Sequence, residues 1–173
     1  MNRAPLQVLV IPYRNAGSHY VFAVLRRRDE GYWQWIAGGA TVGETAYEAA
    51  SREMCEEAGI ASDTPLLSLE SSSTIPVYHF ADHDKWGPEV LVVPERAFAV
   101  RVPDESLVLS GEHSEYRWVD YATATSLLRW DSNRTALWEL NERLRRASCV
   151  SLTSMTSFTS VSYLRPLDFK AVS

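Results

Sequence analysis

Cysteine is nearly absent from this chain: Cys55 and Cys149 are its only two in 173 residues. That scarcity excludes a disulfide framework and a cysteine metal site, and leaves packing as the expected role of Cys55. Basic charge is also short, with 17 Lys and Arg against 22 Asp and Glu, a net charge of −5 and a pI near 5.4. A surface that follows a polynucleotide backbone needs the opposite balance, so no polynucleotide partner is expected. No apolar run is long enough to span a bilayer, and residues 1–12 lack the basic, apolar, small-residue order of a secretory signal. These absences predict a cytoplasmic protein with no membrane partner. The four histidines, His19, His79, His83 and His113, include no pair at metal-ligand spacing, so surface or hydrogen-bonded roles are expected for them. No internal repeat is present.

Apolar material, by contrast, is plentiful. Hydrophobic residues make up 46% of the chain and six are tryptophan, enough to build the core of one domain. Residues 6–13 and 20–27 read as a strand hairpin around the turn residues Asn15, Gly17 and Ser18. Alternation along the second strand sets Val21, Ala23, Leu25 and Arg27 on one face and Phe22, Val24, Arg26 and Arg28 on the other. Further strands are expected over 65–72, 75–80, 90–93, 97–102 and 115–119, with Pro94 separating the third from the fourth. Asp120 is placed to cap a helix over 121–128. Asp131 or Ser132 can cap a second, whose buried stripe would be Leu137, Leu140 and Leu144. Strands, a helix, more strands and two terminal helices imply an α/β (α+β) layered domain with a mixed sheet over 1–147. The Ser/Thr-rich residues 148–173 show no helical period and are expected to form a disordered tail, with strand pairing as the alternative.

The stretch from Gly38 to Ile60 carries the chemistry. A helix over 44–58, stopped by Gly59, advances 100° per residue and brings Glu53, Glu56 and Glu57 to one face, continuous with Ala46, Ala49 and Ala50. Small residues let such a helix lie close on a sheet. Like charges at these spacings repel, and hard carboxylate oxygens in a cluster suit Mg²⁺ or Mn²⁺ held together with a phosphorylated substrate. A solvated acidic helix face is the plainer alternative.

The order of residues resembles the signature of the Nudix hydrolases: Gly38, five residues, Glu44, seven residues, Arg52-Glu53, an aliphatic Met54, Cys55, Glu56-Glu57, Ala58, Gly59 and an aliphatic Ile60. The resemblance implies a mixed sheet sandwiched between helices and a Mg²⁺- or Mn²⁺-dependent hydrolase of a diphosphate linkage. It also implies that Glu53, Glu56 and Glu57 hold the cations, with a main-chain carbonyl at Ala37 or Gly38 as a further ligand, and that Arg52 orients a neighbouring glutamate. Glu44 is expected to steady the loop through backbone N–H groups. Members often recruit a later carboxylate as base or ligand. Glu112, beside the bendable Gly111, is the candidate here, with Glu115 and Glu89 in reserve.

Substrate contacts are expected from the loop glycines Gly38 and Gly39 and, toward phosphate, from Arg27 or Arg28. Trp33 or Trp35, with Trp35 foremost, could stack on a base, although core packing is the expected fate of both. Arg26-Arg27-Arg28-Asp29 before Tyr32-Trp33-Gln34, Glu112-His113 ahead of Trp118-Val119-Asp120, and Ser132-Asn133-Arg134 are similar to the dihydroneopterin triphosphate pyrophosphohydrolase class within that family. That class acts on a pterin triphosphate and accepts nucleoside triphosphates. ADP-ribose, dinucleoside polyphosphates, nucleotide sugars and a non-catalytic ligand-binding module stay open as alternatives, and a homodimer is compatible.

Overall fold

The computed structural model describes residues 2–81 and 83–156, with side chains through residue 148. It divides into two compact units, Met1–Asn141 and Glu142–Ser173. The first contains the sheet and the site.

A seven-stranded mixed sheet is organised on one long strand, β1 (Arg3–Asn15). Its apolar residues 8–11 are fully buried, and strands pair with it on both edges. One edge carries β4 (Ile36–Thr41) along residues 3–10 and β2 (Tyr20–Arg27) at residues 13–15, both antiparallel. The other edge carries β6 (Val92–Arg101) in parallel, and β5 (Leu66–Pro76) follows antiparallel to β6. β3 (Trp33–Gln34) and β7 (His113–Val119) pair antiparallel with β2 on its two edges. Three helices complete the elements: α1 (Ala46–Ala58), α2 (Tyr121–Leu127) and α3 (Asp131–Thr156).

Pleat alternation gives the sheet two faces. Val8, Val10, Ala23, Leu25, Phe98 and Val100 form one core with Ala49, Ala50, Met54 and Ala58 of α1. Leu9, Ile11, Phe22 and Ala99 point the other way and are equally buried. On that side Asn133 of α3 holds Trp35, accepting from its backbone N–H at 3.1 Å and, through its own carbonyl, from the indole N–H at 3.0 Å. Leu137 and Leu140 of α3 are buried as expected.

Several boundaries differ from the sequence reading. The strands expected at 90–93 and 97–102 are the single β6. Pro94 precedes Glu95, the first residue of β6 paired to β1, so the missing N–H costs no bond in that ladder. The strands expected at 65–72 and 75–80 are one strand ending at Pro76, followed by a 3₁₀ turn over Val77–His79. Cys55, expected in packing, is exposed. Helix α3 continues to Thr156, past the expected end of regular structure at 147. At the start of this extension the Ser148 hydroxyl donates to the Leu144 carbonyl at 3.0 Å and so finds its partner within the helix. The remainder of the expected tail, 157–173, lies outside the described residues.

Candidate active site

Helix α1 starts and stops on local chemistry. The Thr45 hydroxyl accepts the Glu48 N–H while the Glu48 carboxylate accepts the Thr45 N–H, a closed capping box. At the other end Gly59 turns left-handed at φ 66°, letting its N–H and that of Ile60 bond the last carbonyls. Thr45 caps one residue after Glu44, so Glu44 lies outside the helix. Its carboxylate folds back onto the Thr41 N–H at 2.8 Å and hydroxyl at 3.2 Å, steadying the loop as expected.

Strand β4 runs beside α1 and, among the described residues, pairs in the sheet with β1, so the peptide groups of its other edge lie outside the ladder. The Ala37 N–H reaches along that edge to Glu57 Oε2 at 3.3 Å, and the Gly39 carbonyl accepts from Arg52 at 2.9 Å. In an extended strand the N–H and carbonyl of one residue share an edge, so the Ala37 carbonyl faces the same side. Between them, Gly38 admits Glu53 to the strand: a Cβ at position 38 would lie 1.9 Å from Glu53 Cδ.

Arg52 ties the acidic groups together. Its Nε and one terminal nitrogen grip both oxygens of Glu44 at 2.9 and 3.0 Å. The other terminal nitrogen reaches Glu53 at 2.8 Å and Glu56 at 3.2 Å. The Arg52 guanidinium foremost, then the Thr41 N–H, hold the Glu44 carboxyl down at about 2 from an ordinary 4.5. A lowered folded-state value stabilises the fold above the ordinary pKa and is lost as pH falls toward 2. Glu44→Gln is therefore expected to cost about 1–2 kcal/mol near neutrality after screening, with the gap to wild type closing between pH 4.5 and 2. Urea unfolding across that range measures it; a gap independent of pH would contradict the pairing.

Glu53 and Glu57 are 8% and 4% exposed and face the cleft. Burial above all, opposed by Arg52 and reinforced by the neighbouring glutamates, raises the Glu53 carboxyl. Glu57 accepts from Nε2 of His113, 2.9 Å away and itself fully buried. The cleft has a volume of about 510 Å³, and Arg3, Arg27, Arg52, Glu53, Glu57 and Glu112 line it. Glu112 is reached by Arg27 at 2.8 Å, and Arg27 also grips Asp29. The structure therefore brings Glu112 to the carboxylate helix across more than fifty residues of sequence.

Other expected residues stand elsewhere. Glu56 is 59% exposed on the outer side of Arg52. Arg28 does not line the cleft; it donates to the carbonyls of Gly111 and His113 and so pins the Glu112 loop. Trp35, the stacking candidate, is fully buried with its indole N–H bonded to the Asn133 carbonyl, and takes the other fate weighed for it, packing in the core. Gly38 and Gly39 line the cleft, Gly38 by yielding room to Glu53 and Gly39 through its carbonyl to Arg52. Glu115 pairs with Arg117 at 2.7 Å, and neither it nor Glu89 lines the cleft. Sequence reasoning missed Arg3, His113 as the partner of Glu57, and a second cavity that continues the cleft past Gln7 and Tyr32 to Glu95 and Trp130. A glutamine and a glutamate beside the apolar runs of β1 and β6 were the available signal.

Among the described residues no three acidic, histidine or cysteine side chains converge as a closed metal cage. The donor chemistry nevertheless fits a hard divalent cation: two buried carboxylates on one helix face, a main-chain carbonyl on the adjoining strand edge, and a glycine that opens the approach.

Comparison with known proteins agrees with this geometry. The NUDIX domain profile matches residues 3–138. The dihydroneopterin triphosphate diphosphatase of Escherichia coli K12 is 30% identical over 138 residues, spanning 78% of this chain and 91% of its own. A Nudix hydrolase structure from Listeria monocytogenes is 45% identical with a TM-score of 0.75, covering 83% of this chain and 97% of its own. The structure of the E. coli dihydroneopterin triphosphate pyrophosphohydrolase is 28% identical with a TM-score of 0.68, over 83% and 99%. With its unbroken glutamate signature carried on α1 beside strand β4 of the matching fold, this chain belongs to the Nudix family and is a pyrophosphohydrolase.

Proposed function

We propose that the protein is a Mg²⁺- or Mn²⁺-dependent pyrophosphohydrolase that cleaves a nucleoside triphosphate or dihydroneopterin triphosphate. The observation that carries this reading is the pairing of two buried carboxylates, Glu53 and Glu57, with Arg3 and Arg27 across one cleft that opens into an aromatic cavity. The likeness to enzymes named for dihydroneopterin triphosphate supports the substrate class.

A divalent cation, when bound, supplies charge neutralisation for the phosphate oxygens and lowers the pKa of a water. Glu53 and Glu57 would hold it, with the Ala37 carbonyl as a further oxygen donor and Glu56, which stands outside Arg52, as a weaker one. Arg52 keeps Glu53 in rotamer, and His113 does the same for Glu57. Arg27 and Arg3 meet the non-bridging oxygens of the polyphosphate. Glu112, exposed and on a loop pinned by Arg28, takes the proton of the attacking water.

The test is a panel of GTP, ATP, dihydroneopterin triphosphate, ADP-ribose and a dinucleoside polyphosphate, scored for released pyrophosphate and monophosphate with and without chelator. Pyrophosphate from the triphosphates, abolished by chelation, is expected. Turnover confined to ADP-ribose or the dinucleoside, or full turnover after chelation, would refute the reading. On the preferred substrate, Glu112→Gln should lower kcat by about 100-fold with KM little changed. Unchanged kcat would remove Glu112 from the proton transfer.

A further inference from the structure

The cavity that continues the carboxylate cleft holds a buried charge that hydrolysis leaves unused. Glu95 lies on β6, 6% exposed, with Gln7 of β1 and Ser73 of β5 as its register partners. Partners in register share a sheet face, so all three side chains rise from the same side, beneath the first turn of α3. The Ser132 hydroxyl bonds the Glu95 carboxylate, whose pKa burial pushes up. A carboxylate has about four acceptor positions, so one hydroxyl leaves most of them turned to the cavity that Glu95 lines. A buried carboxylate short of donors is costly, and a ligand that brings N–H groups relieves that cost.

The surroundings define the ligand. Gln7 accepts from Arg3 with its carbonyl oxygen at 2.6 Å, so its amide nitrogen is left to donate. At the mouth, Tyr32 and Trp130 meet edge to face at 5.6 Å and His79 meets Trp130 at 6.1 Å, making an aromatic wall for a flat ring. The cavity measures about 500 Å³ and shares Gln7, Tyr32, Gln34 and Ala37 with the cleft that holds Glu53 and Glu57. One molecule can therefore set a ring in the first and a polyphosphate in the second.

We propose that Glu95 reads the paired N–H donors of a 2-amino-4-oxopyrimidine ring, the edge common to guanine and the pterins, with Gln7 donating to the adjacent oxo group. This inference rests on the triphosphate reading above and names the ring that the triphosphate carries. Adenine and cytosine place a ring-nitrogen lone pair against the carboxylate, uracil places a second oxo group there, and hypoxanthine lacks the amino donor. Sites built on such hydrogen bonds discriminate strongly, because the wrong ring leaves the buried group unpaired.

The experiment compares kcat/KM for GTP, ITP, ATP and dihydroneopterin triphosphate, and calorimetric binding of GMP, IMP and AMP, in wild type and Glu95→Gln. Wild type is expected to favour GTP over ITP and ATP by about 100-fold, with GMP binding ranked in the same order. In Glu95→Gln the GTP to ATP ratio should fall by about the same factor, and dihydroneopterin triphosphate should fall with GTP. The rank of GTP against dihydroneopterin triphosphate in wild type tells which of the two rings is preferred. Equal wild-type kcat/KM for GTP, ITP and ATP, or a Glu95→Gln variant that loses all substrates alike, overturns the assignment while leaving the pyrophosphohydrolase reading in place. If wild type cleaves none of the triphosphates, that reading falls, and the GMP to IMP binding ratio still decides whether the edge is read. Should Glu95→Gln fail to fold, the wild-type GTP to ITP ratio performs the same deletion from the ligand side.

Discussion

Glu57→Gln is expected to lower kcat by about 100-fold or more while leaving the protein as stable as wild type. Glu57 is 4% exposed, so the amide replaces a buried charge with a group of nearly equal volume, and burial no longer opposes it. The remaining amide oxygen can still accept from the Ala37 N–H and from His113. What disappears is the negative charge and the hard anionic ligand. Glu53→Gln should act alike, whereas Glu56→Gln should be milder because that side chain is 59% exposed and stands outside Arg52. Mn²⁺ titration by calorimetry gives a second readout that needs no turnover: both buried variants should lose affinity in parallel with kcat. A folded Glu57→Gln protein with wild-type kcat and Mn²⁺ affinity would contradict the ligand assignment.

The carboxylate helix was legible in the sequence because its determinants are local. Thr45, Glu48 and Gly59 mark its ends, and the intervals between Glu53, Glu56 and Glu57 are fixed by helical geometry alone. Burial separated those three glutamates in a way that spacing could not: Glu53 and Glu57 lie with Ala49, Ala50 and Met54 against the sheet, and Glu56, nearest Glu57 in sequence, points outward. The choice between Arg27 and Arg28 stayed open in the sequence for a related reason. Alternation sends Arg27 and Arg28 to opposite faces, and only the pairing of β2 with β7, with its bulge at Arg26/Arg27, decides which of them meets the cleft.

Contacts between distant strands were the least legible. Gln7, Glu95 and Ser73 are far apart in the chain and meet because β6 runs parallel to β1 and antiparallel to β5. Trp35 shows a distant contact choosing between two local readings. An aromatic residue just before a ligand-binding loop suggests stacking, yet a bond from its indole N–H to the Asn133 carbonyl at 3.0 Å turns it into the core. Its partner is 98 residues away, beyond the reach of any local pattern.

Gly38→Ala is expected to lose as much activity as Glu53→Gln, although it removes no functional group. The added methyl would fall 1.9 Å from Glu53 Cδ and 2.1 and 2.2 Å from its oxygens, so either β4 or the carboxylate must move. Strand β4 is held by its ladder to β1 and by the bond from Arg52 to the Gly39 carbonyl. The Glu53 carboxylate ends a flexible side chain and yields first. Loss of kcat by about 100-fold should thus come with a stability change of only about 1 kcal/mol, the scale of side-chain rearrangement. The double variant Gly38→Ala/Glu53→Gln should be no worse than either single one, because both act by withdrawing the same carboxylate from the cleft. Gly43→Ala is the control: its φ of 91° strains any side chain, but nothing lies within 4 Å, so stability should drop and kcat hold. Additive losses in the double variant would mean that Gly38 serves the substrate directly instead of making room for Glu53.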